Sequence, residues 1–390
     1  SSNMPRKPAG IAAATDAPDA AAIPAGLRGM LLLHARHGRL PIGSLMLPAE
    51  RLARNGFPVS TVLADDLAAG GTRLLDDPAA RRLFTRADGA FLQAGNQVVM
   101  PAYADGLRMI RGNLSGAARP FQVFKTLNEE LTAAGLAVVV QRVATYSAAI
   151  RPADGIEVPG AAFAENQLVF TGTDVRDTAV AAAAARFLVT DGLYDGTDDI
   201  DRPHLIADSL VAADAYVLQN GPLLPTVEEA ERTMAGHQAP LRRFGGQPLV
   251  RLTGAGRTPG AAVFGAIDRN SQNVVCAVTM GAPFGLGKLA PNTGMLFGAA
   301  PARPGTAPWN TRPVAIASLI HNENTNALFA LSGVSGGPGS IAVAAELMLN
   351  AVDGADAADA IAAPRIIPGP TADEATVEEG IDVAVVDRLN

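Results

Sequence analysis

Ala261-Ala262-Val263-Phe264-Gly265-Ala266-Ile267 and Asn273-Val274-Val275-Cys276-Ala277-Val278-Thr279-Met280 are the two runs whose reading decides the fold. Both are short, apolar and partly β-branched, which is the pattern of buried strands. The polar Asp268-Arg269-Asn270-Ser271 between them predicts a hairpin turn. Ala315 to Leu319 and Ala327 to Ser332 read as a second hairpin, joined by His321-Asn322-Glu323-Asn324-Thr325-Asn326. The glycine-rich Ser335-Gly336-Gly337-Pro338-Gly339-Ser340 then opens a helix predicted over Ile341 to Ala351.

Upstream of these hairpins the period is mostly helical. Residues 1–25 are rich in Ala and Pro and read as an irregular lead-in. A helix begins near Gly26, carries the apolar Gly29 to His34, and ends at Gly38-Arg39-Leu40-Pro41. Pro48 suits the first turn of a new helix, which Asn55-Gly56-Phe57-Pro58 closes. Val62 to Ala69, Pro78 to Phe84, Thr178 to Leu188 and His204 to Gln219 are further helices. Ala137 to Val140 and Leu168 to Phe170 read as strands. Helices first and hairpins later predict stacked sheets flanked by helices, an α+β arrangement.

Composition narrows the function classes. Hydrophobic residues make up 48% and charged residues 18%, a globular balance able to build a core without crosslinks. Cys276 is the only cysteine, so no intrachain disulfide forms. The net charge of −7, with basic residues only in small groups such as Arg242-Arg243, argues against nucleic acid as a partner. No apolar run reaches the roughly 20 residues of a membrane span, and Ser1 to Arg6 has no signal-peptide h-region. The expectation is a soluble protein, cytoplasmic or periplasmic, with a homo-oligomer open.

No metal or cofactor motif emerges. His34 and His37 stand at i, i+3 without a carboxylate or cysteine motif, and read as helix-terminal or surface groups. Asp195 to Asp201 lacks the glycine and terminal glutamate of a calcium loop and reads as a solvated connector. Gly254-Ala255-Gly256 is too short for a dinucleotide fingerprint. Cys276, without a nearby His, reads as a buried structural cysteine.

Several segments, in order, resemble the γ-glutamyltransferase family of N-terminal-nucleophile hydrolases. Gly38-Arg39-Leu40-Pro41, Pro48-Ala49, Leu52-Ala53 and Gly56-Phe57-Pro58-Val59 resemble its early large-subunit region. Pro203-His204-Leu205-Ile206 through Asp214-Ala215-Tyr216 resembles a central helix. Phe284-Gly285-Leu286-Gly287 with Thr293-Gly294-Met295-Leu296 resembles a small-subunit loop and strand, and Gly336 to Ser340 with Ala363-Pro364-Arg365 its closing part. The resemblance runs from about residue 28 to 366 and rests on order and spacing rather than on one motif.

That resemblance implies a four-layer αββα sandwich and a precursor that cuts itself before a threonine. The freed threonine is then nucleophile and, through its amine, base. Residues 1–257 would be the large-subunit-like region and 258–390 the small-subunit-like region of one composite domain. The ungapped match puts Ala261 at the nucleophile position, where alanine can neither cut the chain nor attack an amide. Thr258 is the nearest hydroxyl; it is the nucleophile if the register shifts locally, and otherwise a loop residue. A third possibility is an introduced Thr→Ala change at 261. Thr279 matches a threonine that steadies the nucleophile, or is a strand threonine chosen for β-propensity. Gly336 and Gly337 match the oxyanion donors, or simply make a tight turn. Arg6 matches the carboxylate-binding arginine weakly, and a solvated terminal role is the alternative. Gly281, Phe297 to Ala300 and Ala315-Ile316 stand where the family has polar substrate ligands. The implied partner is therefore a small-molecule amide other than a simple γ-glutamyl compound. The reaction is an amidohydrolase or acyltransferase reaction; the alternative is an unprocessed relative that only binds.

Overall fold

The computed structural model describes residues 21–24, 26–114, 120–136, 155–157, 166–235, 250–251, 260–270, 272–300, 313–322, 324–325, 327–337, 339–352, 354–368 and 375–389. Thr258, Arg6 and the expected strand Ala137 to Val140 lie outside these residues. The chain forms two compact units, Ser1–Arg151 with Met280–Pro308, and Pro152–Thr279 with Trp309–Asn390.

The first unit is helical. Helices α1 (Gly26–His37), α2 (Ile42–Asn55), α3 (Thr61–Gly70), α4 (Pro78–Phe84), α5 (Pro101–Leu114) and α6 (Pro120–Ala133) are joined by a two-residue strand pair, β1 (Phe57–Pro58) with β2 (Gln97–Val98). Ser60 caps α3 and Asp77 caps α4 through side-chain oxygens that accept backbone N–H groups. The expectation of a helix starting at Pro48 is corrected: Pro48 lies inside α2. An interior proline costs about 3 kcal/mol. Packing of α2 on α5 offsets it, with Ala53 buried and Glu50 paired to Arg111 at 2.9 Å. Helix α6, which the sequence reading left unassigned, buries Leu131 completely. Val59, Leu67, Leu74, Ala80, Phe84, Leu92 and Val98 form the main core of this unit.

The 280–300 segment packs onto the same unit. Its expected strand is reduced to a single bridge, Leu289 to Leu296. The reason is close backbone approach: a β-carbon on Gly294, at φ +61°, would lie 2.7 Å from the Tyr103 nitrogen. The buried Glu130 carboxylate accepts the Asn292 N–H at 3.1 Å and fixes the loop from the other side.

The second unit is a helix–sheet–sheet stack. Its main sheet is antiparallel, in the order β3 (Gly155–Glu157), β4 (Asn166–Gly172), β8 (Val314–Asn322), β9 (Leu328–Gly336). Between β4 and β8 the chain makes α7 (Val175–Val189), α8 (Arg202–Asn220), α9 (Val227–Ala235), the short β5 (Val250–Arg251), and the hairpin β6 (Ala261–Ile267) with β7 (Asn273–Thr279). After β9 come α10 (Ser340–Val352), α11 (Ala357–Ala362), β10 (Ile366–Pro368), β11 (Ala375–Val377) and α12 (Val383–Leu389).

Side-chain alternation along β8 explains the layering. Val314, Ile316 and Ile320 join the core made with Phe187 and Leu188 of α7, Leu205 and Leu210 of α8, and Met348 of α10. Ala315 and Ala317 point the other way and are equally buried. Their cross-strand partners are Ser335 and Gly333, and the next partner on that side is Leu331. The β6–β7 hairpin lies against this second face. A β-carbon on Gly333 would come within 2.2 Å of Val263 Cγ1, and one on Gly265 within 2.7 Å of Leu331 Cδ2. Small residues at both points let the two sheets approach. Gly333→Val is expected to lower stability by about 3 kcal/mol, the upper range for overpacking, read as a shift in urea midpoint at unchanged slope.

The outward face of the hairpin carries Phe264, Val274 and Val278, which are exposed. Cys276 pairs with Phe264 on that face and is half-buried, correcting its reading as a buried core cysteine. The predicted turn forms as read, with Asp268 accepting the Asn270 and Gln272 N–H groups at 2.7 and 3.0 Å.

Candidate functional site

Ala261 opens β6 and stands directly across the hairpin from Thr279, the last residue of β7. The Thr279 hydroxyl donates to the Gly260 carbonyl oxygen at 2.8 Å. That oxygen belongs to the Gly260–Ala261 peptide, the bond that would be cut if residue 261 were a nucleophile. The hydroxyl polarises this carbonyl, and the residue after it has no group with which to attack.

Strand parity on β9 concerns three more residues. Leu331 faces Gly265 and Gly333 faces Val263, so each step of two along β9 toward its end moves two residues back along β6. Ser335, two residues further along β9, shares the parity of Leu331 and Gly333. Ser335 pairs with Ala315, whose side is the one facing the hairpin. Sequence reading missed Ser335; its signal was parity with Gly333, visible only once the partner layer is known. Gly336 ends β9 at φ +155°, a conformation that favours glycine. Gly337 follows, and its carbonyl accepts the Ser340 N–H at 3.0 Å as α10 begins. Ala261 and Thr279 thus pair across the hairpin, while Ser335, Gly336 and Gly337 close β9, and none of the five carries a charge.

The apolar replacements noted in the sequence are built into packing. Ala315 and Ile316 are fully buried in β8. Phe297 and Ala299 join Leu131, Leu286 and Ala290 in an apolar cluster. Gly281 sits at φ +72°, where a β-carbon would be 2.1 Å from the Ala299 carbonyl oxygen. His34 is engaged at its own helix end, its Nε2 2.7 Å from the Leu40 carbonyl oxygen. Among the described residues no group of three His, Cys, Asp or Glu side chains is placed to hold a metal, and no helix is long and apolar enough to cross a membrane.

Comparison with known proteins gives an independent line. Residues 3–165 match the family model described as gamma-glutamyltranspeptidase. Scoloptoxin SSD14 of Scolopendra dehaani is 31% identical over 140 residues, 36% of this chain and 24% of that protein. The glutathione hydrolase proenzyme of Escherichia coli (strain K12) is 27% identical over 132 residues, 34% of this chain and 23% of the relative. These matches span roughly a quarter of the relatives' own length. Among solved structures, the cephalosporin acylase from Bacillus halodurans aligns over 92% of this chain and 68% of its own, with a TM-score of 0.67 and 19% identity. That likeness shows a shared α+β fold.

Proposed function

We propose that the chain, whose residues 3–165 match the gamma-glutamyltranspeptidase family model and whose fold is like that of a cephalosporin acylase, carries the amidohydrolase or acyltransferase scaffold of the N-terminal-nucleophile type in an uncut state. On this reading it binds a small amide or acyl compound without turning it over. The observation that supports it is the Thr279 hydroxyl on the Gly260 carbonyl, followed by alanine. Self-cleavage in such a scaffold needs a hydroxyl at 261 to attack the Gly260 carbonyl carbon. The acyl group would shift from nitrogen to oxygen, the hydroxyl proton would pass to the amide nitrogen, and water would open the resulting ester. The Thr279 hydroxyl, already on that carbonyl, is the proposed stabiliser of the oxyanion of that step. The attacking group is what is missing.

The helix–sheet–sheet stack is read here as three layers of an αββα sandwich. The apolar outer face of β6–β7 is the face a fourth layer would cover. Residue 261 then marks the family's subunit boundary more closely than the 257/258 junction expected from Thr258. Gly336 and Gly337 are the proposed oxyanion amides, and Ser335 a neutral hydroxyl facing the ligand. The five residues named offer an amino-acid zwitterion no charged partner, so a neutral acyl or amide group is the better fit to them.

Intact mass of the purified chain tests the reading. A single species near 39.9 kDa is expected. Two fragments meeting between residues 257 and 258 would overturn it, make Thr258 the nucleophile, and turn the protein into an active amidase with altered specificity.

A further inference from the structure

Away from the hairpin, a buried ionic cluster ties the last third of the chain together. Arg365 lies between α11 and β10 with its side chain 11% exposed. Its guanidinium donates to the Ala360 and Ile361 carbonyl oxygens at 2.8 and 2.9 Å, closing the end of α11. Its backbone N–H donates to Glu378 Oε2 at 3.0 Å, and that carboxylate also lies 3.7 Å from the guanidinium. The third member is Glu346, a lone carboxyl in the apolar run of α10, with a side chain 14% exposed and Oε2 4.0 Å from Arg365. Arg365 is already committed to three oxygens, so Glu346 receives only a long contact.

The cluster bears on the glycine turn. Two residues after Arg365, Ile367 of β10 packs onto Gly339, where a β-carbon would lie 3.0 Å from Ile367 Cγ2. Glu346 stands on the helix that this turn opens. Arg365 therefore fixes β10, β10 closes on the turn, and Glu346 meets Arg365 from the helix side.

We propose that Glu346, Arg365 and Glu378 form a pH-responsive latch that holds β10 and α10 together beneath the Gly336, Gly337 and Gly339 turn. The latch is closed when Glu346 is neutral and strained when Glu346 is charged and shares one arginine with Glu378. It stands whether or not the chain turns over an amide. Burial, the largest influence, raises the Glu346 carboxyl from 4.5 to about 7; Arg365 opposes this and Glu378 adds to it. The charges acting on Glu346 are Arg365, between α11 and β10, and Glu378, after β11. The other elements packed on α10 (α7, α8, β8 and β9) add none among the described residues.

The sign follows from proton uptake. Below the unfolded value of 4.5 the carboxyl is neutral in both states and the latch contributes fully. As pH rises toward about 7, only the unfolded chain releases the proton, so stability falls; above about 7 the loss is complete. The folding constant should fall by about a hundredfold across that window from this group alone. The test uses the full chain, comparing wild type with Glu346→Gln in urea melts from pH 4.5 to 8, with amide exchange of the 334–343 segment corrected for intrinsic rate. The expected result is a difference between the two proteins that grows to about a hundredfold by pH 7 in favour of Gln, with faster exchange at the turn in wild type alone. Parallel curves, or exchange at the turn that does not separate the two, would overturn the latch. If the Gln variant does not fold, carbon-13 titration of the wild-type glutamates decides: one carboxyl titrating near pH 7 supports the latch, and all titrating below about pH 5.5 overturns it.

Discussion

Ala261→Thr is expected to turn a chain that stays whole into one that cuts itself between residues 260 and 261. The hydroxyl would enter the strand position facing Thr279, beside a carbonyl already held at 2.8 Å by the Thr279 hydroxyl. Threonine suits a β-strand, so the fold should tolerate it. The readout is intact mass over hours, with two fragments accumulating at the expense of the full chain. Ala261→Val, of similar shape and without the hydroxyl, should stay whole. Adding Thr279→Val to Ala261→Thr should slow cleavage by about a hundredfold, the usual cost of one oxyanion donor. A folded Ala261→Thr protein that never cuts would show that Thr279 alone does not activate this peptide. The proposed scaffold reading would then lose its main support.

Gly281→Asn, which introduces the residue that the resemblance puts at this position, should instead damage the fold. Asparagine tolerates a positive φ better than most residues, so the +72° backbone is the smaller part of the cost. The larger part is contact. A β-carbon there would lie 2.1 Å from the Ala299 carbonyl oxygen, and the two segments are drawn together by the Ala299 N–H bonded to the Met280 carbonyl at 2.7 Å. Backbone on both sides cannot yield as a side-chain tip can. A loss of about 3 kcal/mol is expected, at the upper end for overpacking, seen as a lower urea midpoint. Gly281→Ala should lose a similar amount, because the clash begins at the β-carbon. An unchanged midpoint for Asn would show that the turn opens without cost. On the expected result, position 281 has no room for a polar side chain, whereas 261 does.

Much of this was legible in the chain. The runs 261–267 and 273–279 announced a hairpin, and Asp268 supplied the turn chemistry that closes it. Glu346 was passed over: it is a single carboxylate within Ile341-Ala342-Val343-Ala344-Ala345-Glu346-Leu347-Met348, and nothing local names its partner nineteen residues on. Pro48 misled, because a local helix-start signal was outweighed by packing on α5. Ser335 was passed over, because a strand's parity says which residues share a face but not which face meets the next layer.

By itself, then, the sequence determined the strand and helix periods, the absence of a hydroxyl at 261 and the order of segments that carries the resemblance, because each is carried by neighbouring residues or by residue identity. Tertiary structure decided that Thr279 holds the Gly260 carbonyl, that Gly333 and Gly265 let two sheets approach, that Gly281 has no room for a side chain, and that Arg365 joins α10, α11 and Glu378 after β11. Those facts depend on contacts between residues distant in the chain, nineteen positions for Thr279 and Gly260, and only the stacking of one layer on another selects them.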